Sequence, residues 1–121
     1  MILDPEAIKY LYECAADVEP GYIKTLIAEY RDAGVQLLDD IDIAYERHDA
    51  ESLHRAAHTL KGHSLTYGAA HFADLCLKLE LAAKTGNLDD VAPQIRLIRS
   101  EYPAVQAALQ AEIERDTVDS R

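Results

Sequence analysis

Residues 54–80, HRAAHTLKGHSLTYGAAHFADLCLKLE, decide how this chain is read. Projected at about 100° per residue, Leu53, Ala56, Ala57, Leu60 and Ser64 fall within one arc of roughly 100°, the width of a core-facing helical stripe. His58 projects roughly 140° from the middle of that arc, so it faces water. The helix is expected to run to Thr66 or Tyr67, where Gly68 suits its C-terminal cap. A second helix, from near Ala69, carries Phe72, Leu75, Cys76, Leu79 and Ala83 as its inner stripe. So short a connection makes the two helices antiparallel neighbours.

Outward from this pair the chain remains helical. Upstream, Asp4-Pro5-Glu6 is a helix start, with Asp4 as N-cap and Pro5 at the first helical position. The short helix that follows carries Ile8, Leu11, Tyr12 and Ala15 on one side and ends before Asp17, and Glu19-Pro20-Gly21 turns the chain. From about Tyr22 to Arg47, Ile23, Leu26, Ile27, Tyr30, Leu37, Leu38, Ile41, Ala44 and Tyr45 keep the helical period. Gly34 lies on that stripe and is expected to permit close packing. His48-Asp49-Ala50 reads as a turn, with Asp49 as N-cap of the His58 helix. Downstream, Thr85-Gly86-Asn87 breaks the chain, and Asn87 or Asp89 is expected to cap a last segment with Ile95, Leu97, Ile98, Tyr102, Val105, Leu109 and Ile113 on its apolar face. Pro103 is expected to kink or split that segment, and the polar residues from about 115 to fray. No strand alternation, Gly-rich phosphate loop or internal repeat appears. The reading is all-α: one domain over residues 1–121, an antiparallel up-and-down four-helix bundle with a short N-terminal capping helix.

Composition narrows the function classes. With 121 residues the chain buries a core without staples, and 49% apolar residues fit an ordinary globular protein. A formal charge of −10 argues against nucleic acid, which requires clustered positive charge. No apolar run is long enough for a membrane span and no secretory leader is recognisable, so a cytoplasmic monomer is the expectation. Cys14 and Cys76 are expected to be small buried apolar side chains rather than a disulfide. The seven tyrosines are expected at boundary positions, ring packed and hydroxyl in water.

The chemistry converges on His58. Lys61 and Gly62, three and four positions on, share its side of the helix. Helical side chains lean toward the N-terminus, so a side chain at position 62 would cover the imidazole, and glycine leaves it open at a cost of about 0.5–1 kcal/mol relative to alanine. An exposed imidazole, a nearby ammonium and an open approach suit a histidine that attacks phosphorus through a neutral ring nitrogen, the lysine stabilising the phosphoryl oxygens. His54 and His58, at i and i+4, could be two legs of a metal site, but no third ligand stands at helical spacing. Leu65 and His54 flank the site as candidate partner contacts.

The run Ala57-His58-Thr59-Leu60-Lys61-Gly62, then Ser64, Gly68-Ala69, Leu75-Cys76 and Leu79-Glu80, resembles the histidine-containing phosphotransfer domain of multistep two-component phosphorelays. His63 departs from the pattern, which has a small residue there. The resemblance implies a helical bundle in which His58 accepts a phosphoryl group from a receiver-domain aspartate and passes it to another. It implies that Glu80, at a position often occupied by glutamine, bonds the inner ring nitrogen and orients the imidazole. It further implies a carrier rather than an enzyme, with no cofactor of its own, Mg²⁺ coming with the receiver, and response regulators or a hybrid histidine kinase as partners. The rival readings are a non-catalytic helical binding module and the phosphotransfer module of a chemotaxis-type kinase.

Overall fold

The computed structural model describes residues 2–119, with side chains described through Arg115. Five helices follow one another: α1 (Pro5–Ala16), α2 (Tyr22–Glu46), α3 (Ala50–Thr66), α4 (Ala70–Lys84) and α5 (Ala92–Asp119), with no strand among the described residues. Helices α2 to α5 form the up-and-down bundle, each against the next and α5 closing against α2, while α1 packs on α2 and α3. The α3–α4 pair has the most extensive contact and carries the site.

Local signals set the boundaries. Asp4 accepts from the Glu6 amide at 3.0 Å with Pro5 at the first helical position, and Asp49 accepts from the Ser52 amide at 3.1 Å. Gly68 ends α3 at φ +78°, and a Cβ there would sit 3.1 Å from the Asp4 carbonyl oxygen. Only glycine fits both the left-handed backbone and the close approach, and the Asp4 amide in turn donates to the Gly68 carbonyl at 2.7 Å. The α3–α4 turn therefore also anchors the start of α1.

The buried face of α3 is Leu53, Ala56, Ala57, Leu60 and Ser64, the stripe read from the sequence. Burying a leucine such as Leu53, Leu60 or Leu79 is worth about 1.5–3 kcal/mol each, so the α3–α4 seam is held firmly. Gly34 faces Tyr102, and any Cβ there would run into the phenol, so the glycine is what lets α5 approach α2.

Several expectations need correction. Cys14 is exposed, because Ile8, Leu11 and Ala15 occupy the inner side of α1 and position 14 falls off it; Cys76 is buried. Four tyrosine hydroxyls bond protein groups rather than only meeting water. Tyr30 shares a hydrogen bond with Ser64 Oγ at 2.8 Å, Tyr102 donates to the Tyr30 carbonyl at 3.1 Å, Tyr67 to Leu26 at 2.8 Å and Tyr12 to Glu112 at 2.9 Å. Tyr30 and Tyr102 are buried, and burial raises both phenol pKa values. These bonds tie α2 to α3 and α5, and α1 to α5, and those of the buried Tyr30 and Tyr102 satisfy polar groups that would otherwise be stranded in the core. Pro103 does not split α5, which runs through it, because Ile98, Tyr102, Val105 and Leu109 are buried on either side. Neither Asn87 nor Asp89 caps α5, which begins later, at Ala92; Asn87 instead accepts from the Asp89 amide at 2.9 Å within the connecting turn. Of the tail expected to fray from about residue 115, the backbone is helical to Asp119 and residues 120–121 lie outside the described residues.

Candidate functional site

Two antiparallel helices position the site. His54, His58, Lys61, Gly62 and Leu65 stand at i, i+4, i+7, i+8 and i+11 along one outer side of α3, and Glu80 faces them from α4. The His58 side chain is 62% exposed, whereas Glu80 is only 6% exposed. The two meet because α4 turns Glu80 toward the α3–α4 seam alongside its buried neighbours Cys76, Leu79 and Ala83.

Glu80 organises the polar groups. Its Oε1 takes His58 Nδ1 in a short hydrogen bond, and its Oε2 accepts from Lys61 Nζ at 2.8 Å. A carboxylate is acceptor-only, so the His58 ring donates through Nδ1–H, which fixes the tautomer and leaves Nε2 with a free lone pair. Burial pushes the Glu80 carboxyl pKa up, but the hydrogen bonds from Lys61 and His58 outweigh it and hold the group below the ordinary glutamate range. Glu80 thus stays an anion at neutral pH. Cys76, one turn before Glu80, has its thiol pushed up to about 12, chiefly by burial and then by the Glu80 charge, so it is a thiol and no nucleophile.

The residues singled out in the sequence converge here. A Cβ built on Gly62 meets nothing within 4 Å, so the approach over the imidazole is open. Leu65 is 51% exposed on the same side, and His63 is exposed. Two links were not anticipated. Lys61 is hydrogen-bonded to Glu80 rather than pointing freely at solvent. His54 Nε2 lies 3.8 Å from Glu80 Oε1, and its ring is nearly parallel to that of His58, with centroids 6.3 Å apart. The i, i+4 spacing of the two histidines signalled the ring contact. Their common carboxylate needed the register of α4 against α3, which spacing along one helix does not supply.

An imidazole with Nδ1 held by a carboxylate, Nε2 exposed and an ammonium beside it can attack an electrophilic phosphorus without first losing a proton. Comparisons with known proteins point the same way. The family model of the Hpt domain matches residues 25–114. The crystal structure of histidine-containing phosphotransfer protein B from Pseudomonas aeruginosa PAO1 is similar in fold, with a TM-score of 0.85 and 27% identity, covering 94% of this chain and 96% of that one. No curated protein matches the chain.

Proposed function

The chain belongs to the Hpt domain family, whose members are histidine phosphotransfer intermediates of phosphorelays, and on that premise we propose that His58 is the residue that carries the phosphoryl group. The observation that supports this most is the pairing of an exposed imidazole with a buried carboxylate on its inner nitrogen. The lone pair of His58 Nε2 attacks the phosphorus of a receiver's aspartyl phosphate, the N–P bond forms, and the P–O bond breaks to release the aspartate carboxylate. No proton has to move. The ring keeps Nδ1–H and gains positive charge, which Glu80 Oε1 balances at hydrogen-bond distance. Attack on the phosphorus by the carboxylate of a second receiver reverses these steps and passes the group on.

In this proposal Glu80 is the orienting residue, and Lys61 shares its charge between Glu80 Oε2 and the incoming phosphoryl oxygens. Gly62 keeps the approach clear, and Leu65 and His54 meet the docking receiver. The chain acts as a carrier, without a nucleotide or metal site of its own, and Mg²⁺ arrives with the receiver. Its partners are response-regulator receiver domains or a hybrid histidine kinase, and it works as a cytoplasmic monomer. No described helix is long and apolar enough to cross a membrane.

Incubation with receiver domains phosphorylated on aspartate tests the proposal. Phosphate that is acid-labile and alkali-stable should appear on the chain. If none appears with any receiver of the source organism, the chain is a helical binding module whose histidine has lost its chemistry.

A further inference from the structure

Of the lysines and arginines on α3 and α4, Arg55 pairs with Glu51 at 3.6 Å, Lys61 with Glu80 at 2.8 Å and Lys78 with Asp74 at 3.4 Å. The ammonium of Lys84, exposed in the last turn of α4, makes no ion pair or hydrogen bond among the described residues. Lys84 stands one turn beyond Glu80 and lines a hollow with Ala50, Glu51, His54, Ala83 and Gly86. The hollow adjoins the phosphoryl site, because His54 on its wall brings Nε2 to 3.8 Å from Glu80 Oε1. Its acid, Glu51, is paired with Arg55, so Lys84 is the charge there that has no counterpart. Building on the carrier reading of His58, we infer that Lys84 is a docking residue that takes a carboxylate of the incoming receiver in this hollow.

Charge complementarity selects the occupant. In the carrier reading the receiver brings Mg²⁺ beside its phosphoaspartate, and Mg²⁺ takes oxygen ligands with carboxylates among them, so the rim that closes on His58 is acidic. This chain carries a formal charge of −10, which as a whole repels such a rim. Approach therefore depends on cations local to the site. Lys61 is held by the buried Glu80, and Arg55 by Glu51 and the Ser52 hydroxyl. Lys84 has its charge still to give, at the edge where the end of α4 meets the start of α3. The same ammonium complements the C-terminal end of the α4 dipole, an effect on stability that leaves receiver affinity untouched.

Single-turnover transfer from a phosphorylated receiver domain that labels His58, run at rising receiver concentration, tests this on wild type, Lys84→Glu, Lys84→Arg and Lys78→Glu. Lys84→Glu should raise the half-saturating receiver concentration about three- to tenfold at low salt and leave the saturating rate unchanged. The difference should shrink to less than about twofold at about 1 M salt, where charges are screened beyond about 3 Å. Lys84→Arg keeps the charge and should behave as wild type. Lys78→Glu makes the same change in net charge six positions back on α4, where the lysine is paired with Asp74, and should stay within about twofold of wild type. An unchanged half-saturating concentration in Lys84→Glu would overturn the proposal, even with a lower Tm, because the lysine would then serve the helix dipole alone. An equal rise in Lys78→Glu would overturn it too, since net charge and not the hollow would then govern docking. A lower saturating rate at unchanged half-saturation would contradict it by placing Lys84 on the phosphoryl group. If no receiver labels wild type, the carrier reading itself falls, a result distinct from a labelled chain that ignores Lys84.

Discussion

Replacing Gly62 by glutamine should move stability and phosphotransfer in opposite directions. The position is in the interior of α3, and a Cβ there would meet nothing within 4 Å, so the added side chain costs no packing. Glycine in a helix interior is about 0.5–1 kcal/mol worse than alanine, and glutamine is a good helix former, so the fold should gain up to about 1 kcal/mol. For a domain of this size that corresponds to a rise in Tm of about 2–5 °C. The same side chain leans toward the N-terminus, over the His58 ring one turn back, where a receiver must bring its phosphoaspartate. Transfer from a phosphorylated receiver should fall at least about tenfold, the equivalent of 1.4 kcal/mol of lost approach. Thermal melting and single-turnover transfer on the same protein read both effects. A variant that loses stability and activity together would show that Gly62 serves close packing, and the account of an opened approach would be wrong.

Three further substitutions probe the surrounding network. Lys61→Ala should slow transfer by roughly 10²–10³ in single-turnover assays. It should also cost about 1–3 kcal/mol in urea denaturation, because it strips a hydrogen bond from the buried Glu80; wild-type rates would reduce the lysine to a structural partner. Glu80→Gln should be destabilising at neutral pH, with the difference from wild type shrinking as the pH falls below the ordinary glutamate range. The sign follows from the depressed carboxyl pKa: its stabilisation is present above the unfolded value and lost as pH falls through the folded one. A stability difference that stays constant with pH would mean that the Glu80 charge does not contribute. Gly34→Ala should destabilise by about 1–3 kcal/mol despite the better propensity, because the methyl displaces the Tyr102 hydroxyl from the Tyr30 carbonyl; an unchanged urea midpoint would show that α5 has room to move.

The residues that could be read from the sequence are those governed by position along one helix. The buried stripe of α3, the Asp4 and Asp49 caps, the left-handed Gly68 and the outward face of His58 all follow from periodicity and backbone chemistry. What sequence reasoning missed depends on the register between helices. The hydrogen bond of Lys61 to Glu80 needed that register, as did the tyrosine hydroxyls that bridge helices rather than only meeting water. Pro103 shows the limit of a local rule. The missing amide and ring clash of an interior proline cost about 3 kcal/mol, yet the buried residues around it on α5 offset that loss and the helix continues.

The central claim, that His58 carries the phosphoryl group, is tested most directly by mapping the label on wild type and on His58→Gln after incubation with the same phosphorylated receiver. Wild type should carry acid-labile phosphate on the peptide containing His58. His58→Gln should carry none while keeping its helical circular dichroism, with a Tm lowered by at most the loss of its hydrogen bond to the buried Glu80, since the side chain is 62% exposed and packs little of the core. Labelling of the variant near the wild-type level would contradict the account and move the phosphoryl group to another histidine, with His54 and His63 the first to test.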